Sequence, residues 1–112
     1  MKKMEIIIRR EKVDEVKNKL YEIGATGIML SNIAGYGQNQ GYVQKYRGKE
    51  CYFEKVKKIK LEMVVKDEQV GPIIQIVMDL ARTGEAGDGR IYVYDVCDVV
   101  RIRTGERGID AL

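Results

Sequence analysis

Two changes of hydrophobic period, in the same order in each half of the chain, restrict the fold more than any single motif does. Glu5-Ile6-Ile7-Ile8 is short and β-branched, which suits a buried strand. From Glu11 the apolar residues Val13, Val16, Leu20 and Ile23 recur at three- and four-residue steps, with Lys12, Asp14, Glu15, Lys17 and Lys19 between them. That spacing lines one face of a helix, and Gly24 ends it as a C-cap. A second strand is expected around Gly27 to Ala34. The outline then repeats: Lys60-Leu61-Glu62-Met63-Val64-Val65 alternates like a half-buried strand. Asp67 is expected to cap a helix carrying Val70, Ile73, Ile74, Val77, Met78 and Ala81. Pro72 fits only a first turn, so the helix proper is expected to begin near Gly71. Thr83-Gly84 breaks it, and Arg90 to Val96 reads as a fourth strand. The order β-α-β-β-α-β predicts an α+β, ferredoxin-like fold, with a four-stranded antiparallel sheet and two helices on one face.

The chain's 112 residues suit one domain. Tryptophan is absent and Phe53 is the only phenylalanine, so Ile, Val, Leu and Met must fill the core. Histidine is absent as well, which removes the commonest general base and metal ligand together. A Ser-His-Asp triad, a Cys-His pair and a His-ligated zinc are excluded within one chain. A net charge of +3 is too small for a nucleic-acid footprint, and no clear pair of exposed aromatics marks an RNA-binding sheet. No run of about 18 apolar residues exists, so no membrane insertion is expected. Nothing in the first residues resembles a signal peptide, and Cys51 and Cys97 read as reduced thiols, so a cytoplasmic setting is expected.

Three segments exceed what the fold needs. Residues 36–56 form a long polar connection where a hairpin would need about 2–5 residues. Thr83-Gly84-Glu85-Ala86-Gly87-Asp88-Gly89-Arg90, within segment 82–90, is glycine-rich, and segment 97–112 continues past the last required strand. Long loops on a small scaffold are where function tends to sit. In the glycine run, backbone N–H groups can approach an anion closely and Arg90 can add a charged fork; a plain flexible turn is the alternative. Read as extended, Val100 to Gly105 projects Arg101 and Arg103 from one face, where two guanidiniums need an anion between them. A solvated basic edge is the alternative there. Together the two runs favour a polyphosphate site. Gly35-Tyr36-Gly37-Gln38-Asn39-Gln40-Gly41, with glycines at every second position, can wrap a ligand or simply form a loop neck.

These runs have a further property in common. TGEAGDGRIYV from Thr83 to Val93, DVVRIRTGERG from Asp98, the opening MKKMEIIIRREKVDEVK and KYRGKE before Cys51 closely resemble the P-II nitrogen-regulatory family. The match covers essentially the whole chain. It implies a homotrimer with an ATP or ADP site in each cleft between subunits. Gly87, Asp88, Gly89 and Arg90 would hold phosphates, with Arg101 and Arg103 completing the site from the adjacent subunit. Met29, Gly37, Gln38 and Val64 would line the nucleotide pocket. The family's second ligand, 2-oxoglutarate, sits against ATP and Mg2+; Lys58 would pair with its carboxylate, and backbone amides near Gln40 and Gly41 would contact it. Residues 36–56 would be the T-loop, which reaches into partners such as ammonium transporters and enzymes or regulators of nitrogen metabolism.

The chain departs from the family's usual pattern in several places. Arginine is usual where Gln38 stands, glutamine where Asn39 stands, and threonine is frequent at Met29. In related proteins the glutamine helps coordinate magnesium. Cys51 occupies the uridylylated tyrosine's position, and Lys49 aligns with the serine phosphorylated in cyanobacterial members. The implied function is a non-enzymatic nitrogen-status signal; the alternative is a small phosphate-ester or acyl-phosphate hydrolase on the same scaffold.

Overall fold

The computed structural model describes residues 1–34, 42–46, 49–53 and 57–112, with 42–46, 49–53 and 57 described by their backbone alone. Strand β1 spans Lys2–Arg9, helix α1 Val13–Glu22 and strand β2 Met29–Ala34. Strands β3 (Tyr42–Tyr46) and β4 (Lys49–Phe53) precede β5 (Lys57–Val65), helix α2 (Val70–Ala81) and β6 (Arg90–Asp95). Four strands form one antiparallel sheet in the order β2-β5-β1-β6. This is the expected α+β, ferredoxin-like arrangement, with β1 and β5 at its centre.

Alternation along the central strands divides the sheet's two faces. Met4, Ile6 and Ile8 of β1 and Leu61, Met63 and Val65 of β5 are almost wholly buried against the helices. Register makes this consistent, because Ile6 lies opposite both Leu61 and Ile91. Each such side chain contributes about 1.5–3 kcal/mol on burial. The reading of Glu5 to Ile8 as a buried strand is therefore corrected. Only the even positions are buried, while Glu5 and Ile7 face the side that no helix covers. That face carries a ladder of charge: Lys3 lies 3.3 Å from Glu5 and 3.4 Å from Glu62, and Lys60 lies 2.8 Å from Glu62. The hydrogen bond from Lys60 holds the Glu62 carboxyl below its ordinary range.

Helix α1 buries Val13, Val16 and Leu20, as its spacing predicts. Ile23 falls past the last turn and is partly exposed. Gly24, at φ +86°, then turns the chain, with its N–H on Tyr21 O and that of Ala25 on Leu20 O. This paired arrangement satisfies the helix's last carbonyls and needs the left-handed backbone that glycine adopts freely.

Two further expectations about the elements are corrected. Asp67 does not cap α2; it opens a 3-10 turn, Asp67–Gln69, and its carboxylate meets the Met1 ammonium at 2.9 Å. The Gln69 side chain instead accepts the N–H of Lys66 at 2.9 Å. The 36–56 connection contains the antiparallel pair β3–β4, with Tyr42 opposite Phe53 and Tyr46 opposite Lys49. Aromatic and β-branched residues among the polar ones (Tyr42, Val43, Tyr46, Tyr52, Phe53) supply that strand preference. The second correction concerns the end of the chain and is described with the site.

Candidate functional site

The glycine-rich loop joins α2 to β6 and is organised around one carboxylate. Asp88 Oδ2 accepts the N–H groups of Thr83 and Gly84, each at 2.9 Å, and Asp88 Oδ1 accepts the Thr83 hydroxyl at 2.5 Å. Arg9, at the end of β1, forms an ion pair with the same carboxylate. Its guanidinium also donates to the Ala86 carbonyl at 2.9 Å and to Thr83 Oγ1 at 3.2 Å. The Thr83 hydroxyl first, and Arg9 second, hold Asp88 well below the usual carboxylate range. Among the described residues, the N–H groups of Gly87 and Gly89 take no part in this internal network.

Glycine is required at position 89. Its φ is +107°, and a Cβ there would lie 1.7 Å from the carbonyl oxygen of Ile7. The loop therefore runs hard against β1 just before β6 begins. Successive backbone amides in such a tight, glycine-rich turn suit an anion. Asp88 fills the first part of the loop, and the N–H groups of Gly87 and Gly89 stay outside its hydrogen bonds.

Register places other basic residues at this end of the sheet. Arg90 pairs with Ile7, and Lys58 pairs with both Arg9 and Ile33. Arg90 is exposed and Lys58 half-buried, and neither forms an ion pair among the described residues. Ala34, the last residue of β2, lies opposite Lys57, so β2 ends at this same end of the sheet. Gly37, Gln38, Asn39, Gln40 and Gly41 lie outside the described residues. So does the magnesium position expected at Asn39, and among the described residues no cluster of carboxylate, thiol or imidazole groups is placed to hold a metal ion.

Met29 and Val64 occupy a different place. Both line a cavity of about 560 Å3 near the opposite end of β1, with Gly27, Glu62, Ile109 and Leu112 in its wall. Cavities of this size suit a small molecule. Within one chain, Met29 and Val64 are not brought together with Gly87, Asp88, Gly89 and Arg90.

Arg101 and Arg103 do not project together from an extended segment. Residues Arg101 to Gly105 form a turn, with the Gly105 N–H on Arg101 O at 2.7 Å, closing a small hairpin bridged at Val100 and Arg107. Gly105, at φ +74°, permits the reversal. Arg101 bends back to Glu106 at 3.1 Å and to Leu112 O at 2.9 Å. Arg103 is exposed, and Ile102 between them is 99% exposed. Asp98 anchors the hairpin, paired with Arg107 and accepting the Val99 N–H, and Arg107 lowers its pKa.

Sequence reasoning missed Arg9, and it took Thr83 only as a helix breaker opening the glycine-rich run. A basic residue closing a central strand was the available signal for Arg9, but it names no partner by itself.

The fold and this loop define a ferredoxin-like α+β protein with a glycine-rich, carboxylate-centred turn at one end of its sheet. A family model described as nitrogen regulatory protein P-II matches residues 1–106. Nitrogen regulatory protein P-II of Pasteurella multocida (strain Pm70) is 46% identical over 112 residues, all of both chains. The protein of that name from Rhodospirillum rubrum is 45% identical over 112 residues, again all of both chains. Nitrogen regulatory protein P-II 1 of Methanothermobacter thermautotrophicus is 45% identical over 112 residues, all of this chain and 97% of the relative. The chain belongs to the P-II nitrogen regulatory family, and its place is in nitrogen signalling. Among the described residues no helix is long and apolar enough to cross a membrane.

Proposed function

We propose that this chain assembles as a cytoplasmic homotrimer that binds ATP and ADP competitively in clefts between its copies. Occupancy then sets the conformation of residues 36–56, which regulate an ammonium transporter or enzymes and regulators of nitrogen metabolism. The observation that carries this reading is the meeting of the glycine loop, Arg90 and Lys58 at the end of the sheet from which that segment departs. Phosphates lie against Gly87, Gly89 and Arg90, with Asp88 shaping the loop through its side chain. Met29, Val64, Gly37 and Gln38 line the remainder of the pocket. Arg101 and Arg103 come from the adjacent copy.

Division of the site between copies fits the separation of the Met29–Val64 cavity from the glycine loop within one chain. Exposed apolar side chains at Tyr92, Val93, Tyr94, Val100 and Ile102 give a neighbouring copy something to cover. Signalling works by population shift, so each nucleotide must bind the loop's states with different affinity. No residue is assigned a catalytic role. Asn39 is one methylene shorter than the family's usual glutamine, and magnesium demands oxygen ligands at about 2.0–2.1 Å. 2-Oxoglutarate binding through Asn39, Gln40, Gly41 and Lys58 is therefore weak, and the ATP/ADP ratio is the main input. With Cys51 and Lys49 at the positions its relatives modify, ligand occupancy alone carries the signal.

Calorimetry tests the site. A folded Arg101→Ala/Arg103→Ala protein should lose one to two orders of magnitude in ATP affinity, at about 1.4 kcal/mol per decade. Unchanged affinity would refute the site. Phosphate release from ATP at about 1 s⁻¹ would favour a hydrolase instead. Light scattering on the purified protein reads the trimer directly.

A further inference from the structure

We propose that Arg9 is a positioning residue that locks the Thr83–Arg90 loop, through Asp88, into the shape and charge that receive phosphate. This rests on the reading that the loop binds a nucleotide.

The geometry is that of a latch. Arg9 ends β1, a central strand of the sheet, and its side chain is only 17% exposed. From there its planar fork reaches the Asp88 carboxylate, the Thr83 hydroxyl and the Ala86 carbonyl. The partners Thr83 and Asp88 stand five residues apart and bracket the loop, so one guanidinium ties its two ends and its middle to the sheet. The backbone lies close over this group: a Cβ on Gly87 would be 3.3 Å from an Arg9 nitrogen.

Charge makes the latch necessary. A carboxylate in the middle of a phosphate-binding turn repels its ligand unless a cation cancels it. Asp88 cannot be dispensed with, because it accepts the N–H groups of Thr83 and Gly84 that hold the turn's first residues. Arg9 resolves the conflict by neutralising the carboxylate from the side of β1. The external ligand is left to Arg90 and to the N–H groups of Gly87 and Gly89. Lysine is a poor substitute, since one ammonium offers charge without the planar fork that serves Asp88 and Ala86 together.

The test compares Arg9→Ala, Arg9→Met and Arg9→Lys with the unmodified protein, by amide hydrogen exchange without nucleotide and by calorimetry with ATP. In the Ala and Met variants the Thr83 and Gly84 amides should exchange faster, and ATP affinity should fall roughly tenfold or more, the scale on which supporting contacts behind ligating groups act. Arg9→Lys, which keeps the charge, should recover part of both. Wild-type exchange rates and affinity in Arg9→Met would overturn the latch, because packing of the stem would then suffice. Arg90→Ala separates the two readings. If it too binds ATP unchanged, the nucleotide site itself falls, whereas loss in Arg90→Ala alone removes only the role of Arg9.

Discussion

Replacing Gly89 with alanine tests how tightly the candidate loop is pressed against the sheet. Its new methyl carbon would lie 1.7 Å from the Ile7 carbonyl oxygen and 2.8 Å from the Ile7 carbonyl carbon, where contacts under 3.0 Å essentially never occur. Both are backbone atoms of a central strand, so no side chain can swing away. The start of β6 must recede by well over an ångström, which breaks its pairing at Ile7 and Arg90. Strain at the positive φ costs about 1–3 kcal/mol. One or two weakened backbone hydrogen bonds add about 0.5–1.5 kcal/mol each. The expected loss is about 1.5–6 kcal/mol, a large part of the roughly 5–15 kcal/mol that stabilises a typical domain. Gly84→Ala is the control, because Gly84 also has positive φ, +88°, but a Cβ there meets nothing within 4 Å. It should cost only the backbone strain, about 1–3 kcal/mol. Urea unfolding of both variants at one protein concentration gives the comparison, held fixed because any self-association would make stability concentration-dependent. A Gly89→Ala protein no less stable than Gly84→Ala would refute the close approach on which the loop's geometry rests.

Ile6→Ala, at a fully buried position, should cost about 2–5 kcal/mol in the same assay. Asp88 is depressed below the usual carboxylate range, so its stabilisation is present above its unfolded pKa of about 3.9 and is lost only as pH falls through its lower folded value. The Thr83 and Gly84 amides, measured by exchange with intrinsic rates corrected for pH, should therefore keep their protection at pH 5; loss of protection between pH 7 and 5 would contradict the latch. Glu106→Gln frees Arg101 from an exposed pair worth about 0.2–1 kcal/mol, so calorimetric ATP affinity should rise by no more than about fivefold. Asn39→Gln should restore ATP- and magnesium-dependent 2-oxoglutarate binding; tight binding by the unmodified protein would count against the role given to Asn39. Intact-mass spectrometry of protein from nitrogen-starved cells should show no adduct on residues 36–56.

Local periodicity carried the fold because the core is built from it: apart from Ala25, alternate residues of β1 and β5 and the stripes of α1 and α2 are the buried set. What escaped the sequence was decided by distant partners or by competition. Asp67 has the right residue type for a cap, but the Met1 ammonium is a stronger partner than helix N–H groups. Arg101 and Arg103 looked extended by analogy with a strand, although Gly105 marked a reversal two residues on. The glycine loop was visible as composition. Its organising contact was not, because Arg9 and Asp88 are separated by 79 residues and no pattern in the sequence links them.

The charged ladder on the uncovered sheet face also bears on which surfaces the folded chain tolerates against it. Lys3, Glu5, Lys60 and Glu62 satisfy one another within the chain, so the middle of this face is polar, while Tyr92 opposite Glu5 and Tyr94 opposite Lys3 leave apolar surface exposed along β6. Alternating signs tolerate only a partner that meets them in register, and a mismatched neighbour sets like charges together. Mispairing with other chains is discouraged by the same four side chains.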